Sequence, residues 1–129
     1  MEEILLKLND PRAKVNLDFD LPFGRYFSEH MFVMDYDNEN KWHNPVICPY
    51  GDVSFSPACM VFHYGQAIFE GMKAYLHDSG KIALFRPYKN FERLNYSAER
   101  LCIPQIDKDF LLKALKTAVN TDSNWVPVK

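Results

Sequence analysis

The sequence predicts an α+β domain with an antiparallel, hairpin-built sheet early in the chain and two late helices that cover one face of it. Three observations predict this class. Residues 32–36 have the aromatic and β-branched content of a strand. Residues 69–76 and 81–86 flank a turn signal at 77–80 and therefore predict a β-hairpin. Beyond residue 90, apolar residues recur at the spacing of two amphipathic helices.

The other segments give weaker local signals. Residues 2–6 combine acidic and apolar side chains and could begin a short helix. Residues 42–49 contain two prolines, and they predict a short or edge strand because proline cannot donate to a β-ladder. Pro57 suits the first turn of a short helix over residues 58–61.

Capping residues and a breaker set the expected limits of the two late helices. Asn90 is expected to cap the first helix and Asp107 the second. Pro104 is expected to stop the first helix before the second begins. The apolar stripe of the first helix consists of Phe91, Leu94, Ala98 and Leu101.

Length and composition exclude several classes of protein. With 129 residues, of which 47% are hydrophobic, the chain suits one domain with a core, and we expect an N-terminal arm (1–22) over a partner surface followed by that domain (23–129). The net charge of −2 gives no sign of the basic surface that binds nucleic acid. No apolar run approaches the ~20 residues of a membrane helix. Three spaced cysteines suit reduced thiols in a cytoplasmic protein, and the histidines lack metal-ligand spacing.

One stretch, residues 62–75, has a composition that a plain core strand does not need. It is rich in aromatic residues and carries Gly65 and Gly71, where the missing Cβ lets backbone or a ligand approach closely. If residues 69–75 form a strand, one face alternates rings with a glycine and Lys73. Such a face fits either the wall of a pocket or a buried strand, and the periodicity does not decide between them.

A second candidate site lies on the first late helix. Arg93 and Ser97 stand one turn apart, and a guanidinium with a neighbouring hydroxyl can bind a phosphate, with Arg100 as a further candidate. The alternative is a solvated helix face on which Glu92 and Glu99 neutralise the arginines.

Other residues have two interpretations each. Phe23, Tyr64 and Phe69 are candidates for an apolar pocket or for core aromatics. Lys73 is either a cation or nucleophile in a site or a strand-edge lysine with a solvated amine. Glu70 is either a general base or a hydrogen-bonded structural carboxylate.

Three motif blocks in this order resemble the N-terminal part of branched-chain amino acid aminotransferases, which are fold-type IV enzymes that use pyridoxal 5′-phosphate. The blocks span roughly residues 20–127 and read Phe23-Gly24-x-x-Phe27-Ser28-x-His30-Met31, His63-Tyr64-Gly65-x-x-x-Phe69-Glu70-Gly71-Met72-Lys73-Ala74-Tyr75 and Phe85-Arg86-Pro87-x-x-Asn90-x-x-Arg93-x-x-x-Ser97-Ala98-x-Arg100-x-x-x-Pro104. The last two blocks together are specific to fold-type IV. The first favours the branched-chain enzymes over D-amino acid aminotransferases and aminodeoxychorismate lyases.

The resemblance implies roles for individual residues. Arg93 matches the arginine that holds the cofactor phosphate, and Phe23, Tyr64 and Phe69 match residues that line the pocket for the branched side chain. Lys73 matches a lysine that is not the catalytic one. The intact enzyme is implied to be a cytoplasmic homodimer that transfers the amino group of Leu, Ile or Val to 2-oxoglutarate, which yields glutamate.

One departure limits what the resemblance implies for this chain. The family's Schiff-base lysine belongs to a second, larger domain, and no lysine here stands in its motif. Residues 23–129 are therefore expected to be the small domain, with no catalytic residue, no transamination of its own and no retention of the cofactor. The alternatives are a domain of another fold-type IV enzyme or a non-catalytic interaction module.

Overall fold

The computed structural model describes residues 2–10 and 21–127, which form two small sheets and three α-helices. This arrangement confirms the predicted α+β class. The elements are β1 (Leu5–Leu6), β2 (His30–Asp37), β3 (Lys41–Pro49), α1 (Met60–Tyr64), β4 (Ala74–Leu76), β5 (Ile82–Leu84), α2 (Pro87–Arg100), α3 (Lys108–Thr121) and a final 3₁₀ turn (Ser123–Trp125).

The larger sheet has three strands in the order β1-β3-β2. β2 and β3 form an antiparallel hairpin. The Oδ1 atom of Asp37 accepts hydrogen bonds from the backbone N–H groups of Glu39 (2.8 Å) and Asn40 (2.7 Å). This side chain closes the turn and fixes the register of the hairpin.

The segment with two prolines is the central strand of this sheet, so the prediction of a short or edge strand is wrong. The pairing register shifts between Val33 and Asp35, and Asn44 and Pro45 together oppose a single residue of β2 at that point. Asn44 has a φ of 51° there. Such a bulge removes the need for a ladder N–H, which is how proline is accommodated inside a strand.

The chain start also differs from its prediction, because residues 2–6 do not begin a helix. Leu5 and Leu6 pair with β3 in parallel, and the N–H of Lys7 donates to the carbonyl of Ile47 at 2.8 Å. Ile4 is buried in the core beside β1. The burial of Ile4 and the pairing with the free edge of β3 stabilise a strand here, and together they outweigh the weak helix propensity of the segment.

The core lies between the three-stranded sheet and α3. Its buried members are Ile4, Ile47, Phe110 and Ala114, and the rings of Phe32 and Phe110 pack with centroids 6.4 Å apart. Asp107 caps α3 as predicted, since its Oδ1 accepts from the N–H of Phe110 at 2.8 Å. Both late helices are present: α3 packs directly on the sheet and α2 packs against α3.

The predicted second hairpin is confirmed, although its strands are shorter than expected. β4 and β5 pair over three residues each, and the N–H of His77 donates to the carbonyl of Lys81 at 2.9 Å. Gly80 occupies the turn with a φ of +78°, a conformation that favours glycine. Residues 69–73 are not part of the strand, so the alternating face expected from Phe69 does not form.

Two helix starts differ from their predictions. α2 begins at Pro87, so Asn90 lies inside the helix and does not cap it; proline at the first helical position has a preorganised φ and needs no N–H partner there. The short helix α1 begins at Met60, beyond the predicted start at residue 58. It ends at Gly65, whose φ of +61° makes the left-handed cap that glycine provides.

A buried polar pair joins β2 to the end of α3. Asp122 accepts from the backbone N–H of His30 at 2.8 Å and from its Nδ1 at 2.7 Å, and both side chains are about nine-tenths buried. The Nε2 atom of His30 accepts from the N–H of Asn9 at 3.0 Å. The imidazole therefore carries its proton on Nδ1, and it links three separate segments of the chain.

Much of the aromatic content lies at the surface. Phe23 is fully exposed, and Phe69, Tyr64 and Phe85 are all more than 70% exposed. Helix α1 has no buried residue at all. Within residues 2–10 and 21–127, no helix combines the length and the apolar character needed to cross a membrane.

Candidate functional site

A carboxylate and a guanidinium meet where the 62–75 stretch passes α2. Arg93 donates from Nε to Glu70 Oε2 at 2.7 Å and from Nη2 to Glu70 Oε1. Two parallel hydrogen bonds of this kind fix the plane of the guanidinium as well as its position. The side chain of Glu70 is 10% exposed, whereas that of Arg93 is 67% exposed, so the carboxylate is inside and the guanidinium faces outward.

Two further groups hold the carboxylate. The Nδ2 atom of Asn90 donates to Glu70 Oε1 at 3.0 Å and to the carbonyl of Gly71 at 2.9 Å. The N–H of Gly71 donates to the same Oε1 at 3.1 Å. We call the side chains of Glu70, Asn90 and Arg93 the Glu70 clamp. It ties the extended segment around Gly71 to the first half of α2.

The clamp shifts the acidity of both charged groups. The hydrogen bond from Arg93, followed by those from Asn90 and Gly71, lowers the pKa of Glu70 to about 2 from its ordinary 4.5. The same pair raises the pKa of Arg93 above its ordinary value. Glu70 is therefore ionised at neutral pH but only weakly basic, and its hydrogen bonds to Arg93, Asn90 and Gly71 support its interpretation as a structural carboxylate.

A pH dependence follows from this shift. Because the folded-state pKa of Glu70 lies below its ordinary value, the clamp stabilises the fold fully above pH 4.5, and this contribution is lost as the pH falls towards 2. We expect Glu70→Gln to lower the urea midpoint at pH 6 and to narrow the difference between the midpoints at pH 6 and pH 3. Glu99→Gln, near the other end of α2, is the matched control; an equal narrowing in that variant would contradict the assignment.

The alternative interpretation of Arg93 as part of a neutralised helix face does not match the observed partners. Glu92 pairs with Lys89 at 2.7 Å and with Lys108 at 3.7 Å. Arg93 pairs with Glu70, which lies 23 residues earlier in the chain. The guanidinium is thus anchored to another segment, and its Nη1 group and second Nη2 hydrogen are not used by Glu70.

The three aromatic residues predicted for a substrate pocket do not share one hollow. Phe69 borders an open hollow of about 330 Å³ together with Ser97 and Arg100 of α2. Phe23 borders a different cavity, and Tyr64 is 79% exposed at the end of α1. None of the three is a core aromatic, which removes that alternative and leaves their role in a substrate pocket a prediction.

The cavity bordered by Phe23 is the larger one, with a volume of about 730 Å³. Lys73, Tyr75 and Trp125 are among the residues that line it. The indole N–H of Trp125 is buried without a hydrogen-bond partner among the described residues. Such a donor is costly to bury, so an acceptor is expected to approach it here.

Sequence reasoning missed the part played by Asn90 and Gly71. Asn90 was interpreted as a helix cap, which is its commonest use, and nothing in its spacing shows that its side chain points back to residue 70. The signal that could have found it is Pro87, which already starts the helix three residues earlier. Among the residues that the structure describes, no group of three or more acidic, histidine or cysteine side chains is placed to hold a metal ion.

No protein-family model matches the chain. Curated relatives do: it is 54% identical over 107 residues to branched-chain-amino-acid aminotransferase 2 of Bacillus subtilis (strain 168), and 50% identical over 107 residues to branched-chain-amino-acid transaminase 1 of the same strain. A probable branched-chain-amino-acid aminotransferase of Staphylococcus aureus (strain N315) is also 50% identical over 107 residues. Each match covers 83% of this chain and 30% of the relative.

These matches make the chain similar, over most of its length, to one part of enzymes of the aminotransferase class. In particular, it is similar in sequence to branched-chain-amino-acid aminotransferases. It spans about 30% of the length of the curated relatives it matches.

Proposed function

We propose that residues 23–129 belong to the small domain of a branched-chain amino acid aminotransferase, and that β1, near the chain start, completes its sheet. Residues 11–20 of the expected N-terminal arm (1–22) lie outside the described residues. In the intact enzyme, the amino group of Leu, Ile or Val is transferred to 2-oxoglutarate, giving glutamate. The observation that carries this proposal is the identity of 50–54% to three proteins that bear this name. The amine that holds the cofactor is proposed to belong to a second domain.

Arg93 is proposed to bind the phosphate of pyridoxal 5′-phosphate. The N–H groups at Nη1 and Nη2 that Glu70 does not use form the forked pair that matches two phosphate oxygens. Ser97 lies one turn further along the same helix and can add a hydroxyl donor. When bound, the cofactor supplies the electron-withdrawing ring that the chemistry needs; this chain orients it by its phosphate.

Phe23, Tyr64 and Phe69 are proposed to form the apolar wall against the substrate side chain. Branched aliphatic side chains offer nothing to hydrogen-bond, so only apolar contact can select them. The three rings are exposed in this chain, and they have apolar area to contribute when a substrate or a further domain covers them. A methylene in such a pocket changes the binding free energy by only about 1–3 kcal/mol, so acceptance of several branched substrates is expected.

The active unit is proposed to be a homodimer in the cytoplasm, and exposed apolar surface supports association. Phe55 and Phe62 pack edge to face at 6.0 Å, and both are more than half exposed. We expect the sedimentation coefficient of this chain to rise with concentration, because large apolar patches on proteins are usually covered. Phe62→Asp should reduce the rise and Lys113→Gln should not; a strictly monomeric profile at high concentration would contradict the proposal.

The phosphate site can be tested on this chain directly. Without the ring contacts of a second domain the whole cofactor is not expected to be retained, so the probe is inorganic phosphate at millimolar concentration. We expect phosphate to shift the Arg93 Nε–Hε resonance in ¹⁵N-labelled protein, and ³¹P line broadening to disappear in Arg93→Gln but persist in Lys113→Gln. Equal broadening in Arg93→Gln would contradict the role given to Arg93.

A further inference from the structure

We propose that Glu70 is a positioning residue that fixes the Arg93 guanidinium in the orientation that receives a phosphate. This inference rests on the proposed function, since it concerns the same arginine. It assigns a role to a carboxylate that does not itself touch the anion.

The geometry of the Glu70 clamp divides the guanidinium into two edges. Glu70 occupies the edge formed by Nε and Nη2, through which the two parallel hydrogen bonds run. The other edge, formed by Nη1 and the second Nη2 hydrogen, is left for a second partner. A guanidinium is planar, so fixing one edge also fixes the direction in which the other points.

Burial supports the same division of roles. Glu70 is 10% exposed and is held by Asn90 and by the N–H of Gly71, so it can act as a fixed support. Arg93 is 67% exposed, so its free edge is open to a ligand. A long, flexible side chain that is already ordered loses less freedom when it binds, which strengthens binding.

The charge of Glu70 has an effect on phosphate binding opposite to that of positioning, so the direction in which phosphate affinity changes on removing Glu70 tests the proposal. The negative charge of Glu70 repels an approaching phosphate, so a carboxylate that merely neutralises Arg93 would weaken anion binding. If Glu70 is a positioning residue, its removal lowers phosphate affinity despite the more positive charge that remains. If it is only a competing anion, its removal raises that affinity.

The test measures phosphate affinity and the order of the Arg93 side chain together. In the wild-type chain, the ¹⁵N heteronuclear NOE of Arg93 Nε should approach the values of the α2 backbone and exceed that of the exposed Arg25. In Glu70→Gln the NOE should fall, and phosphate affinity should drop by about threefold or more. Equal or tighter phosphate binding in Glu70→Gln, or a wild-type Arg93 as mobile as Arg25, overturns the proposal.

A charge-swap variant separates positioning from stability. Glu70→Arg combined with Arg93→Glu keeps an ion pair between the two positions, so it should recover urea stability relative to the single variants without recovering phosphate binding. Recovery of both would mean that any ion pair suffices, and would overturn the role of Glu70. Absence of Arg93-dependent phosphate binding in the wild type is a different result, because it removes the proposed phosphate site itself.

Discussion

Phe110→Ala is expected to lower the free energy of unfolding by about 3–5 kcal/mol, the usual cost of truncating a buried aromatic residue. Phe110 is 6% exposed, packs against the ring of Phe32, and is one of only a few buried apolar residues described. In a core this small, few neighbouring side chains can move to fill the cavity that the truncation leaves. Urea denaturation followed by tryptophan fluorescence measures the change.

Phe85→Ala is the matched control for this prediction. Phe85 is 75% exposed and follows β5, so its truncation should change the free energy of unfolding by about 0.5 kcal/mol or less. Similar losses in the two variants would show that α3 is not the element that completes the core.

Asp122→Ala is expected to cost about 2–4 kcal/mol, because it strands two buried donors and each such group costs about 1–3 kcal/mol. The donors are the backbone N–H and the Nδ1–H of His30, at 2.8 and 2.7 Å from the carboxylate. Burial raises the pKa of Asp122, but hydrogen bonds from Ser28 and His30 outweigh it, so the net pKa is lowered. The ionised carboxylate is therefore the form that holds β2 to the end of α3.

The Asp122 prediction has a control and an intermediate variant. Asp52→Asn, on an exposed loop, should leave the urea midpoint unchanged. Asp122→Asn keeps the shape of the side chain but only one acceptor oxygen, so its midpoint should fall between those of the wild type and Asp122→Ala. A neutral result for Asp122→Ala would mean that water replaces both hydrogen bonds without cost.

The sequence predicted those parts of the fold that depend on local chemistry. The hairpin around Gly80 follows from the left-handed backbone that glycine allows, and the Asp107 cap follows from a side chain that accepts from backbone three residues away. The predictions that failed depend on distant partners. β1 is a strand because β3 offers it an edge, and Pro45 is tolerated in a central strand because a bulge meets it there.

The candidate site was predictable in its residues but not in its contacts. The motif blocks identified Arg93 as a phosphate ligand, a role that stays a prediction, while its partner Glu70 is separated from it by 23 residues and by a hairpin. Ser28 and His30 belong to the first motif block, yet in this structure their side chains support Asp122. A motif therefore marks residues that matter without saying whether they bind a ligand or hold the fold.

We propose above all that this chain carries the phosphate-binding arginine of a pyridoxal 5′-phosphate enzyme and not its reactive amine. Treating the chain with pyridoxal 5′-phosphate and borohydride, digesting it and mapping labelled lysines by mass spectrometry tests that claim most directly. We expect weak labelling spread over exposed lysines, with Lys73 no higher than Lys113. Stoichiometric labelling of one lysine would contradict the account.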